Sequence, residues 1–438
     1  MKRAFQVTFC TLTAVLALRA LPATALADDA APSYVVYDTG ALGGEQAFAN
    51  GINNLGWAAG GLSTSTGAVH AAEWIPGDVI DLGTLGGMNS AVEWPIKNNH
   101  GLVVGISETA TPDPLGETFS CSAFIATNGH TCLPFLWQNG ALSPLPLFGG
   151  NNGFATGIND AGVAVGWAET AVHDKTCVLP QQLQFEAAQW GPGANQVRAL
   201  APVPGDSSSA ATAINDAGEV VGISGDCDVA VGAFSARHAV LWVDGKPIKL
   251  PTLGGQGWNT PMAINNLGII AGFSDTAGDV VSGVLHANFQ ATLWTPGGIV
   301  NLHTLPGDAL AEATGINNFN QVVGTSFGAS GMRAFLWQHG TLYDLNTLVQ
   351  PNAPLYLVAT GDINDRGEIT GVGCVVVAGA CGSVTHAFVA IASPRAADER
   401  AETQAQSGPR PFIDSALEER LLRLQRFGHT QPEREPAH

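Results

Sequence analysis

The chain reads as an all-β protein: a seven-bladed β-propeller of four-stranded antiparallel blades, closed into a ring by an N-terminal strand, with a short C-terminal helix appended. Three observations predict this. A hairpin phrase occurs seven times, two further strand phrases occur seven times in step with it, and the two ends of the repeat region are complementary fragments of one repeat.

The hairpin is clearest at Ile214-Asn215-Asp216-Ala217-Gly218-Glu219-Val220-Val221-Gly222. Its other copies close their turns at Gly56, Gly101, Gly162, Gly268, Asn320 and Gly367, and each has a second glycine four residues on (Gly60, Gly105, Gly166, Gly272, Gly324, Gly371). Asn and Asp start turns by bonding their own backbone, and a residue with positive φ closes a type I turn with a bulge. Asn320 breaks the glycine rule with the residue that best tolerates left-handed geometry. Successive turn residues are 45, 61, 56, 50, 52 and 47 apart, the period of four-stranded propeller blades.

Each hairpin supplies strands A and B. Strand C is a short run ending in tryptophan (Trp74, Trp137, Trp190, Trp242, Trp294, Trp337), with His386 to Ala390 as the seventh copy. These indoles are expected to pack between blades, each worth about 2 to 3 kcal/mol of apolar burial. Strand D runs into a tight loop, as in Asp81-Leu82-Gly83-Thr84-Leu85-Gly86-Gly87. The repeat region opens on a lone D strand, Tyr34 to Asp38, and closes on a C strand, His386 to Ile391, that has no D strand after it. Pairing the two makes one composite blade and hides both sheet edges.

The His-Ala-Phe phrase at 386–388, its variants His-Ala-Ala, His-Ala-Val and Arg-Ala-Phe, the Asp-Leu-Gly-Thr-Leu-Gly-Gly phrase and the Ile-Asn-x-x-Gly-x-Val-Val-Gly phrase together resemble the extracellular HAF-repeat family. The resemblance covers roughly residues 34 to 391. It implies an exported bacterial protein of propeller-like repeats and brings no assigned activity with it.

The flanking segments divide the chain further. Residues 1–27 read as a signal peptide: Lys2 and Arg3, an apolar run, then Ala25-Leu26-Ala27 as a cleavage site. Residues 28–393 are the propeller, 394–414 a flexible linker, and 415–438 an amphipathic helix and disordered tail. Ser415 and Glu418 form a capping box there, Leu417, Leu421 and Leu424 share a face, and Gly428 stops the run. No later stretch is long and apolar enough to span a membrane. The expected localisation is secreted or periplasmic, as a monomer.

The signal carries Lys2, Arg3 and Arg19 and no acid, so its removal moves the formal charge from −19 to −22. Such a surface repels phosphate backbones, and nucleic acid is excluded as a partner. Cys10 leaves with the signal and six cysteines remain, an even number suited to an oxidising compartment. All six fall between a B strand and the next C strand. Cys121 is expected to pair with Cys132 and Cys374 with Cys381 as local disulfides, and Cys177 with Cys227 as a bridge between neighbouring blades.

Those B-to-C connections are also the longest, and in a propeller they emerge on one face. The function is expected there: binding of an extracellular glycan, polymer or protein, with Trp167, Trp258, His130 and His173 as candidate binding residues. The alternative is a secreted hydrolase or lyase acting on a polymer at the mouth of the central channel. Its candidate acids are Glu93 and Glu312, which share one register at the start of strand A and offer carboxylates for acid–base chemistry. No catalytic motif supports it: neither a G-x-S-x-G elbow nor an H-E-x-x-H helix occurs. His70, His238 and His386 share a strand-C position spread around the ring, so they are expected to cap structure and not to hold a metal. The cysteines include no C-x-x-C pair, so no zinc site is expected. No cofactor is expected, and Asp226 to Asp228 and Asp275 to Asp279 leave room only for a structural calcium ion outside the EF-hand pattern.

Overall fold

Seven sheets of four antiparallel strands, each ordered A-B-C-D, follow one another along the chain. The protein is seen here as a computed structural model that describes residues 31–413 and 417, apart from 41–42, 97, 118–120, 122–124, 126–127, 193–195, 229–234, 282–283, 330 and 394–410. The expected signal and, Leu417 excepted, the expected C-terminal helix lie outside the described residues. Blades one to six span residues 47–83, 86–144, 149–200, 208–249, 254–303 and 310–344. Blade seven takes strands A to C from Tyr356–Ile363, Ile369–Val377 and Ala380–Ala392, and its outer strand is Tyr34–Gly40. Tyr34 lies opposite Ala392 and Val36 opposite Ala390, so the ring closes as the sequence predicts.

The hairpin turns have the expected geometry. Gly218 sits at φ 81° and Asn320 at φ 61°. The second glycine of the phrase has a separate cause. Strand A carries a bulge, seen as a register shift between Ala211 and Ala213 in blade four and between Ala313 and Gly315 in blade six. The bulge swings a carbonyl onto strand B, where a Cβ at Gly222 would lie 2.1 Å from Ala210 O, and one at Gly324 2.1 Å from Glu312 O. Only a residue without a side chain fits there.

The first Asn of each turn does more than start it. Asn265 Oδ1 accepts the backbone N–H of Leu267 and of Ile269, which holds its own turn. Its Nδ2 donates to Asn317 O of the next blade. The same donation runs Asn53 to Asn98, Asn98 to Asn159, Asn159 to Asn215, Asn215 to Asn265, Asn317 to Asn364, and Asn364 back to Asn53, at 2.8 to 3.1 Å. A second ring lies beside it. The backbone N–H of each following residue (Asn54, Asn99, Asp160, Asp216, Asn266, Asn318, Asp365) donates to the side-chain oxygen of its counterpart one blade on, at 2.7 to 3.0 Å. The first position needs a donor and an acceptor and is Asn in all seven copies. The second needs an acceptor and is Asn or Asp.

The bulged residues add a third tier: Thr156, Thr212 and Thr314 donate through Oγ1 to Ala211 O, Pro261 O and Thr360 O of the following blade. Between the blades lie the strand-C tryptophans. Trp190, Trp242 and Trp294 are buried, and their Nε1 atoms donate to Pro146 O, Ala201 O and Pro251 O at 2.7, 2.8 and 2.7 Å, in the loops that lead out of the preceding blades. The histidines of the repeat cap structure. His70, His238 and His386 bond Asp81, Asp206 and Asp38 through Nδ1. Arg333, at the same position of blade six, reaches both Asp308 and Asp344.

Candidate functional site

The two faces of the ring differ. On the hairpin-turn face the axis is filled by the asparagine rings, leaving a pocket of about 50 Å³ lined by Ile and Asn or Asp side chains. The opposite face carries the B-to-C inserts, and those of blades two to four are joined into a deck that also bonds strand A of blade five. The blade-two insert docks on the blade-three insert: Glu117 Oε1 accepts Gln182 N at 2.8 Å and Leu183 N at 2.5 Å, and Gln182 Nε2 donates to Leu115 O. Blade three docks on blade four through Val178 N to Asp228 O and Asp228 N to Thr176 O. Blade four reaches blade five through Asn259 N to Ala236 O.

All three expected disulfides form: Cys121–Cys132, Cys177–Cys227 and Cys374–Cys381. The Cys177–Cys227 bond ties the inserts of blades three and four. The C-terminal segment joins the same face. Phe412–Ile413, expected in a flexible linker, adds in parallel to Ala380–Cys381 of blade seven. Ile413 and Leu417 are buried in one apolar cluster with Phe327, Met332 and the Cys374–Cys381 pair.

Beneath the deck lie five buried carboxylates: Glu108, Glu117 and Glu169, which sequence reasoning passed over, and Asp275 and Asp279, which it singled out only as oxygens for calcium. Their position follows from the Gly-Gly loops. Glu169, in strand B of blade three, holds Asn151 N and Asn152 N near the start of strand A, as Glu108 holds Met88 N and Asn89 N in blade two. The second glycine of each loop packs against this acid, since a Cβ at Gly150 would lie 2.3 Å from the Glu169 Cβ. In blade five the strand-B acid is the shorter Asp275, and Asp279 supplies the bonds to Gln256 N and Gly257 N. Two acid pairs result. Burial first, and then the charge of Glu117, raise the Glu169 carboxyl to about 7. Burial first, with the neighbouring Asp279 adding to it, raises Asp275 to about 7. The signal available in the sequence was the coincidence of Gly86-Gly87, Gly149-Gly150 and Gly254-Gly255 with an acid at the end of the following B strand.

The candidate residues fall into two groups. His130 and His173 lie at the bases of the B-to-C inserts of adjacent blades, where they pair with Pro112 and Leu183. His173 is exposed, and His130 is half-buried with Nδ1 3.4 Å from Glu108 Oε1. Trp167 and Trp258, expected as rim aromatics, are instead core: they are 0% and 3% exposed. Trp167 packs on Phe185, and Trp258 on Phe273 and Phe289, at centroid distances of 5.6 to 5.8 Å. Trp167 lies on strand B of blade three and Trp258 on strand A of blade five, and both side chains enter the apolar cluster and do not reach solvent. Glu93 and Glu312 are buried as well. They belong to blades two and six, with blades seven and one between them the shorter way round the ring. Burial holds the Glu93 carboxyl well above the usual range, and its near partner is Asn50 Nδ2 at 3.5 Å. No group of three or more His, Cys, Asp or Glu suited to a metal ion occurs among the described residues.

No protein-family model and no curated protein matches the chain. Solved structures match at the level of the fold. The β-propeller domain of the trilobed protease from Pyrococcus furiosus is 9% identical at a TM-score of 0.45, over 78% of this chain and 91% of that one. The acylaminoacyl peptidase of Pyrococcus horikoshii is 11% identical at 0.40, over 74% of this chain and 48% of that one, so this chain spans about half its length. A gluconolactonase from Xanthomonas campestris is 8% identical at 0.31, over 60% and 79%. The chain is a β-propeller protein.

Proposed function

We propose that this chain is an exported propeller of the extracellular HAF-repeat kind that binds a glycan, polymer or protein through the face carrying the B-to-C inserts. The observation that supports this reading is the one-sided elaboration. The hairpin-turn face is uniform and its axis is filled, whereas the inserts are irregular in sequence and fixed in place by disulfides and cross-blade hydrogen bonds. Loops held on a rigid scaffold are the usual carriers of recognition. Export fits three cystine pairs, which persist in oxidising compartments, and His130 and His173 are polar groups that a ligand on this face would meet.

The test uses the chain from residue 28 onward against immobilised cell-envelope polymers, glycans and proteins. Binding is expected, and it should fall at least about tenfold when the blade-two insert 113–129 is replaced by a short Gly-Ser linker with Cys132→Ser. Full binding by that variant overturns the insert-face reading. The Glu169 carboxyl, raised to about 7, suits general acid chemistry near neutrality. Release of soluble products from a polymer, abolished by Glu169→Gln, would therefore move the reading to the secreted hydrolase or lyase.

A further inference from the structure

The insert face carries a groove that the chain fills with its own C-terminal segment. Phe412–Ile413 adds in parallel to the tip of the B-to-C hairpin of blade seven, with Phe412 beside Ala380 and Ile413 beside Cys381, and Phe412 N donates to Gly379 O at 3.0 Å. Side chains alternate along this strand: Pro411 and Ile413 are buried, and Phe412 is 69% exposed. Leu417, four residues beyond Ile413, is buried again. Ile413 enters between blades six and seven. A Cβ at Gly331, which opens strand C of blade six at φ 92°, would lie 2.9 Å from Ile413 Cδ1, so blade six gives up a side chain where the aliphatic group sits.

The ring is closed without this segment. Blade seven already has its four strands, with Tyr34–Gly40 as the outer one, and Phe412–Ile413 is a two-residue addition off their path. Residues 394–410 join it to the end of strand C. Apolar surface stays open around it: Val376 and Val377, paired with Cys381 and Ala380, are 44% and 66% exposed, beside the exposed Phe412. A segment placed in this way has the features of a bound peptide, in which strand addition sets the register and pockets for alternate side chains give selectivity.

The walls choose the class of ligand. Phe327 and Met332 of blade six and the Cys374–Cys381 pair of blade seven share one apolar cluster with Ile413 and Leu417. A sugar laid there would bury hydroxyls without partners, whereas an extended peptide bonds the strand edge through its backbone and puts only aliphatic groups into the pockets. We infer that the groove between blades six and seven is a binding site for a segment of a partner protein, with proline and two aliphatic side chains spaced as Pro411, Ile413 and Leu417, and that the C-terminal segment occupies it in cis until such a partner displaces it. The inference rests on the insert-face reading and narrows its ligand to a protein. A short tether presents its segment at an effective concentration of about a millimolar, so the partner must bind the bare groove well below that.

The test frees the segment after the chain has folded. A site for a sequence-specific protease is placed between residues 402 and 403 of the chain from residue 28 onward, and a fluorescent peptide of residues 409–428 is titrated by anisotropy before and after cleavage. The cut chain, dialysed to remove its own segment, is expected to bind the peptide saturably and at least about tenfold more tightly than the uncut chain. The peptide with Ile413→Asp and Leu417→Asp should not bind. One that keeps Pro411, Ile413 and Leu417 in an otherwise Ala-Ser background should bind within about tenfold of the native peptide. The proposal is overturned if the cut chain does not take up the peptide, if the uncut chain binds it as tightly, if the Asp peptide binds as well, or if the peptide reduced to its three anchors fails. It is overturned too if the cut chain unfolds, which makes the segment part of the fold, or if the uncut chain forms concentration-dependent dimers, which makes a second copy the occupant. Failure here leaves the insert-face reading standing, because that reading is tested by polymer binding to the uncut chain and its blade-two variant.

Discussion

Asn159 meets two opposite demands at once: Oδ1 accepts Val163 N within its own turn, and Nδ2 donates to Asn215 O in the next blade. Aspartate satisfies the first and fails the second, placing a carboxylate against a carbonyl in a buried site. Asn159→Asp is expected to lower stability by about 2 to 4 kcal/mol in urea unfolding at pH 7. The loss should shrink as pH falls and the new acid protonates, because a protonated carboxyl can donate. The buried acids set the pH response of the parent. Glu169 and Asp275 are raised to about 7, so the folded state holds protons that the unfolded chain releases near pH 4. Stability from these groups is complete at about pH 4 and is lost as pH rises through 7, each group contributing a decline of roughly 1.4 kcal/mol for every pH step of one across that window. The melting temperature should decline between about pH 5 and 8, and Glu169→Gln should flatten that decline. An unchanged slope would remove Glu169 from the account. The turn role of these asparagines was readable in one repeat, since Asn and Gly announce a turn locally. The ring was not, because its acceptor lies about fifty residues away and nothing in a single hairpin points to it. The sequence did hold a trace of it: Asn at the first turn position throughout, Asn or Asp at the second.

Among the elements, strands and turns were read well because a period of two and a positive-φ turn are local properties. Inserts were read well for connectivity and poorly for burial. Cys177 and Cys227 sit in consecutive inserts on one face, so proximity followed from topology. Trp167 and Trp258 look like loop aromatics by position, yet they lie within strand B of blade three and strand A of blade five and both sit in the core. The C-terminal segment repeats the lesson. Charge and proline mark 394–410 as a spacer, but Phe412–Ile413 is a strand and Ile413 and Leu417 fill the apolar cluster beside Met332. Truncation after residue 410 should leave the β circular dichroism intact and lower the melting temperature. It should also raise binding of an apolar dye, since two aliphatic side chains worth about 1.5 to 3 kcal/mol each are withdrawn. A truncated chain that melts and stains like the parent would show that this contact contributes nothing.

For the whole molecule, closure was legible because a surplus D strand at one end and a missing D strand at the other can be counted without coordinates. Deleting residues 31–40 should expose the outer edge of Ala380–Ala392, and an open strand edge pairs with other chains. Light scattering should then report species larger than the parent, and a synthetic peptide spanning 33–40 should restore the parent's size. A deletion variant that keeps the parent's size and melting temperature would contradict the closure.

Thr39 bonds Ala387 across 348 residues of chain, which gives the ring a schedule. The strand made first is the strand placed last. At 5 to 20 residues per second its partner leaves the ribosome roughly 20 to 70 seconds later. Blades one to six can assemble during that interval, each from contiguous sequence. The closing strand must wait, unpaired and open to capture by any other free edge, until the last blade exists to receive it.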